Sequence, residues 1–141
     1  MTLIHGETGA QRTLGYVLDV RGGDGRARCM LDVTGAHANR HGVLHGGIAG
    51  VILDNAMGAT ASLTVDETGR APFLTVSLSV NFVAAGRVGQ TLTATGRVVG
   101  GGRSLLFIDG ELRDADDTLI ATAHGVFKRV PREKLPEGGD A

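Results

Sequence analysis

The sequence predicts an α+β fold in which one curved, antiparallel six-stranded sheet wraps around a single long helix. Three observations predict it. An apolar stretch, 48–65, is too long for a strand and rich in alanine and leucine-type residues. Segments of period-two alternation lie on both sides of it, joined by Gly- or Asp-rich turns. Finally, Ile48, Val51, Ile52, Met57 and Leu63 spread around the helix instead of forming one stripe, and a helix apolar on all sides is buried on all sides. A single sheet must then curl around it, with a second copy of the chain the simplest cover for what remains.

Each element has its own signal. Tyr16, Leu18 and Val20 alternate before the glycines at 22, 23 and 25, and Ala27, Cys29, Leu31 and Val33 alternate after them, which reads as a hairpin. A polar loop with three histidines, 34–47, leads into the helix. After a turn at 66–72, Val76, Leu78, Val80 and Phe82 are expected on the core face of a third strand, with Thr75, Ser77, Ser79 and Asn81 on the other. Three more strands are expected at 90–99, 104–113 and 119–130. The layout is β-β-α-β-β-β-β, and hairpin-length connections make the sheet antiparallel. The 141 residues suit one domain, with a core at about 14–130 and polar tails at both ends.

Composition narrows the function classes. A content of 42% hydrophobic and 21% charged residues argues against a disordered chain. Formal net charge is −1, which leaves no global basic field for nucleic acid. The N-terminus lacks a basic region followed by an apolar one, so no signal peptide is expected. The apolar stretch carries Asp54 at its centre, a poor fit to a membrane span. The lone Cys29 supports neither an internal disulfide nor a Cys-based metal framework and suits a reducing, cytoplasmic setting.

Chemistry concentrates in 39–47 and at Asp54. His45-Gly46-Gly47 immediately precedes the helix, whose first N–H groups have no internal partner. Those donors, at the positive end of the helix dipole, can hold an oxygen that becomes negative during reaction. Asp54 is the only charged residue between Gly46 and Val65. A buried carboxylate must be neutralised, hydrogen-bonded or placed at a wet cleft, and capping or pairing with an arginine explains Asp54 about as well as catalysis does. Gly46 and Asp54 lie about 12 Å apart along one helix, whereas attack needs about 3 to 3.5 Å. If both act on one substrate, they come from two chains with antiparallel helices. Gly50 and Gly58 weaken a helix, and close approach of another backbone would be a reason to keep them. His37 and His41 read as surface-loop histidines. A metal site at His37, His41 and His45 is rejected, because i,i+4 ligands need a helix and the glycines predict an irregular loop.

The string Asn39-x-x-Gly42-x-x-His45-Gly46-Gly47, followed by Asp54, resembles the hotdog-fold thioesterases, most closely the PaaI-like phenylacetate-pathway branch, over 14–130. The resemblance implies that Asp54 is nucleophile or general base and that the Gly46 amide polarises the thioester carbonyl. It implies that Asn39 helps to place water or the carboxylate, and that His45 orients the loop or contacts the thioester. Thr75 falls where these enzymes often keep a hydroxyl near the reacting centre. Ser77 departs from the family's Thr-x-Asp/Glu-Leu pattern.

The expected activity is therefore hydrolysis of an acyl- or aryl-CoA thioester by a homodimer, or a dimer of dimers, with no metal and no organic cofactor. Gly47, Ile48 and Val51 would help bind substrate in a pocket between subunits. Arg103, with Lys128, Arg129, Arg132 and Lys134, could meet the CoA phosphates, although a solvated surface explains these charges nearly as well. Rival readings are a hotdog hydratase or dehydratase, a non-catalytic acyl-CoA-binding module and a purely structural oligomer. His45 and Asp54 on one helix cannot meet as a hydratase pair, and Asp54 has no evident purpose in the other two.

Overall fold

A computed structural model describes residues 3–136. Helix α1 (Gly9–Leu14) precedes strands β1 (Val17–Asp19) and β2 (Arg28–Asp32), then a 3-10 turn at Gly35–His37. Helix α2 (Gly46–Leu63) follows, then β3 (Phe73–Phe82), β4 (Thr91–Gly101), β5 (Leu105–Arg113) and β6 (Leu119–Arg129). The strands form one six-stranded sheet in the order β1-β2-β4-β5-β6-β3, with every neighbouring pair antiparallel. The sheet curls around α2, which contacts β2 through β6.

The core forms where α2 meets the sheet. Ile52, Leu53, Ala56 and Met57 are completely buried, packed in one cluster with Leu31, Leu92, Ile108, Leu112 and Phe127. Each large side chain there contributes about 1.5–3 kcal/mol by leaving water. The expectation of a helix buried on all sides needs correction within a single chain. Ile48, Val51, Asn55 and Gly58, with Asp54 beside them, form a half-buried stripe at helical spacing. A Cβ on Gly50 would meet nothing within 4 Å and one on Gly58 only ordinary contact with Phe127. Among the described residues, nothing requires either position to lack a side chain.

Helix α1 was not anticipated, because its six residues carry no apolar period. Tertiary bonds hold it instead. The Thr8 hydroxyl accepts from Gln11 N–H at 3.1 Å, and the buried Gln11 amide donates to the carbonyls of Ile4 (2.8 Å) and Tyr16 (3.1 Å). Of residues 3–13, Ile4 and Gln11 are buried, while 5–10, Arg12 and Thr13 are exposed.

Strand β3 also differs from expectation. Leu78 and Val80 do pack on the core, but Val76 and Phe82 are each 60% exposed. Thr75 pairs with Phe127 and Ser77 with Val126, so Val76 is the extra residue of a β-bulge. One extra residue inverts the parity of the alternation. Thr75 therefore joins Leu78 on the helix side, while Ser77 stays on the outer face.

The two edges of the sheet are unlike. Strand β1 is three residues long and ends at Asp19, which is ion-paired to Arg21 at 3.0 Å. Strand β3 offers ten residues with no charge and no proline. A long, uncharged edge is a template for another strand.

Candidate active site

The 34–45 loop is built by short-range hydrogen bonds. His37 Nδ1 accepts from the Thr34 N–H at 3.0 Å, so the ring proton lies on Nε2, which donates to the Leu14 carbonyl at 2.8 Å. His37 is buried, contrary to the surface position expected for it: it ties the loop to the end of α1. Its carbonyl accepts the His45 N–H at 2.9 Å. Asn39 makes the turn that follows. Its Oδ1 accepts from the N–H groups of His41 (2.9 Å) and Val43 (3.3 Å), and its carbonyl accepts from Gly42 at 3.0 Å. Gly42 has φ +78°, where a side chain would be strained. His41 is exposed on this turn. Asn39 therefore shapes the loop with its oxygen and keeps only Nδ2 for a ligand.

His45 is the N-cap of α2, and its Nδ1 accepts from the Gly47 N–H at 2.9 Å. Gly47 was expected to bind substrate, but its amide is committed to this cap. The Gly46 N–H has no acceptor among the described residues. One outward-facing donor thus remains at the positive end of an eighteen-residue helix. The Phe82 ring packs against Gly46: a Cβ there would lie 3.2 Å from Cζ and 3.3 Å from Cε1 of that ring. Sequence reasoning placed Phe82 in the core, and nothing in a strand pattern marks an aromatic residue as the neighbour of a helix start.

Asp54 lies two turns along α2, half-buried on the exposed stripe, and its Oδ1 accepts from the Thr75 hydroxyl at 2.6 Å. That short, charge-assisted bond fixes the carboxylate and leaves Oδ2 for chemistry. The bulge at Val76 makes the contact geometrically available. Beside Asp54, Asn55 accepts from the Tyr16 hydroxyl at 3.2 Å and donates to the Val51 carbonyl at 2.8 Å. Burial pushes the Tyr16 phenol above its ordinary value, and the neighbouring Thr8 and Asn55 side chains offset part of that. Ile48 and Val51, on the same stripe, pack partly against the core.

One chain does not bring Gly46 and Asp54 together. Gly46 lies under Phe82 at the end of β3, and Asp54 is tied to Thr75 near its start, seven residues away. Arg103 lies elsewhere again, on the β4–β5 turn. With Arg129, Ser104, Pro72 and Val65 it lines a groove of about 810 Å³ near the C-terminal end of α2. Neither arginine is ion-paired among the described residues. Lys128 is exposed on β6 and Lys134 beyond it. No helix among the described residues is long and apolar enough to cross a membrane.

Residues 41–121 match the family model of the thioesterase superfamily. The chain is 30% identical over 112 residues to acyl-coenzyme A thioesterase 13 of Homo sapiens, covering 79% of this chain and 78% of the relative. Its fold is similar to the Escherichia coli PaaI protein from the phenylacetic acid degradation operon: TM-score 0.74, 23% identity, 86% of this chain and 84% of that one. It is also similar to a Streptococcus mutans protein solved bound to acetyl CoA: TM-score 0.66, 24% identity, 75% and 82% covered.

Proposed function

Since the chain belongs to the thioesterase superfamily and its chemistry is thioester hydrolysis, we propose that it hydrolyses acyl-CoA thioesters to free acid and CoA at a site shared by two copies. The observation that carries this reading is the division of labour along β3. The carbonyl-binding amide lies under Phe82 at one end of the strand and the carboxylate is tied to Thr75 near the other, the two groups being about 12 Å apart along α2 at about 1.5 Å per residue. An antiparallel pairing of two β3 edges about a two-fold axis near Leu78–Ser79 sets Phe82 of each copy opposite Thr75 of its partner. Paired strands lie about 5 Å apart. The same symmetry lays the half-buried stripes of the two α2 helices alongside each other. Both the uncharged edge of β3 and the open space at Gly50 fit such a partner.

In that arrangement the thioester oxygen accepts from the Gly46 N–H of one copy, where the helix dipole favours the charge that develops on it. Asp54 of the other copy, steadied by Thr75, acts through Oδ2. It either takes a proton from the attacking water or attacks first and is released by water. The products are the same: a carboxylic acid and the CoA thiol. His45 shapes the helix start, Asn39 the loop before it, and Ile48 and Val51 offer apolar surface to the acyl group. Arg103 and Arg129 line the 810 Å³ groove together with Asp66 and Glu133, and the two guanidinium groups suit the phosphates at the other end of CoA. A dimer of dimers would use the outer face of the sheet, where Leu105 and Phe107 are 40% and 45% exposed. Cys29, buried and unpaired, suits a reducing cytoplasm.

The test is subunit complementation. Wild-type protein should release thiol from at least one acyl-CoA, and Asp54→Asn and Gly46→Pro should each lose most of that rate. Refolding equal amounts of the two variants together makes half the dimers mixed, each with one intact site, so about a quarter of the wild-type rate should return. If the mixture stays inactive while each variant dimerises, the site is not shared. If wild type binds acyl-CoA without releasing thiol, the chain is a binding module.

A further inference from the structure

The Phe82 side chain packs little into the core and has no part in the chemistry described above, yet its ring lies beside the place where the thioester would react. It is 60% exposed, and its ring tip lies 3.2 Å from the position of a Gly46 Cβ. A carbonyl oxygen bound at about 2.9 Å from the Gly46 nitrogen would set its own carbonyl carbon, and the acyl α-carbon attached to it, against the edge of that ring. One turn deeper along α2 the geometry is the opposite. Around Gly50 a Cβ would meet nothing within 4 Å, and the neighbouring side chains, Ile48 and Val51, are apolar and only half-buried.

Resting on the proposed thioesterase reading, we infer that Phe82 is a specificity-determining residue that forms a narrow neck at the acyl α-carbon, opening into a wider apolar chamber at Gly50. The substrates this shape takes carry a methylene or a flat aryl carbon next to the carbonyl and bulk further along. Acyl groups branched at the α-carbon are rejected, because the extra methyl and the ring edge compete for one space. Contacts of this kind discriminate by about 10- to 200-fold per methyl-sized group. The neck is set by one side chain outside the core, so it can be widened without disturbing the core, with sedimentation verifying that the two-copy assembly persists.

The experiment compares kcat/KM for isobutyryl-CoA, butyryl-CoA and phenylacetyl-CoA in wild type, Phe82→Ala and Phe82→Leu. Affinities are measured in parallel for the matching oxoalkyl-CoA analogues, in which a methylene separates sulfur from the carbonyl and prevents hydrolysis. The ratio of isobutyryl to butyryl should rise at least tenfold in Phe82→Ala and by less in Phe82→Leu, in both rate and affinity. Gly50→Leu should lower the ratio of phenylacetyl to butyryl in both rate and affinity. If the branched-to-linear ratio is the same in wild type and both Phe82 variants, the neck does not exist. If wild type binds the analogues with this selectivity but releases no thiol from any ester, the hydrolytic reading falls and the neck stands. If it binds none of them, both fall.

Discussion

Gly46→Pro isolates one hydrogen atom. Gly46 is the first residue of α2, a position where the N–H has no intrahelical acceptor and where proline's fixed φ already matches the helix. The residue before a proline must be extended, and His45 has φ −62° and ψ 130°. The ring of the new proline would press on Phe82, since the Cβ position lies 3.2 Å from its Cζ, but Phe82 is mostly exposed and can yield by a few tenths of an ångström. Stability should therefore change by no more than about 1 kcal/mol. Activity should change far more. Loss of one oxyanion donor costs about 2.7–4 kcal/mol in the transition state, a fall in kcat of about 10²–10³. Gly46→Ala is the control, because it adds the same Cβ and keeps the N–H. The assay is thiol release under saturating acyl-CoA, with thermal melting and sedimentation to verify fold and assembly. A folded, dimeric Gly46→Pro protein whose kcat stays within about threefold of Gly46→Ala would show that this amide does not stabilise the transition state.

Two further perturbations address the groups around Asp54. Thr75→Val removes the 2.6 Å bond to the carboxylate and keeps a β-branched side chain suited to a strand. It should lower kcat by about 1.5–3 kcal/mol, roughly 10- to 100-fold, with Thr75→Ser restoring most of it; a Val variant of wild-type kcat would exclude Thr75 from the mechanism. Tyr16 is the only tyrosine, and burial raises its folded pKa above the ordinary 10.0. The stability this group contributes is thus fully present below pH 10 and is lost as pH rises through the folded value. Tyr16→Phe should cost about 1 kcal/mol at neutral pH through the lost Asn55 bond. It should also flatten the alkaline decline of the melting temperature. An equal decline in both proteins, or phenolate absorbance appearing at the ordinary pH, would contradict that.

Local pattern made a good part of this protein legible. The period-two runs at 27–33, 90–99, 104–113 and 119–130 and the long apolar stretch at 48–65 each report burial of one segment against something. That is a property of the segment itself, so the strands, the helix and their antiparallel arrangement could be read in order. The His45-Gly46-Gly47 start and Asp54 were also visible, because a helix terminus and a lone carboxylate in an apolar run stand out from their own neighbours. Their separation along one helix calls for a second chain if both act on one substrate.

Other features depend on contacts between residues distant in sequence, and only the tertiary structure decided those. The bulge at Val76 shifts the register of β3 against β6, and that one residue decides which face Thr75 occupies and hence that it meets Asp54. His37 is buried because the Leu14 carbonyl awaits its Nε2–H, twenty-three residues away. α1 is held by the side chain of Gln11 rather than by an apolar stripe. Phe82 reads like any strand aromatic until the end of β3 is seen lying across the start of α2. Periodicity records whether a residue leaves water. What it meets there is set by register and chain crossing, which a sequence encodes only through the whole fold.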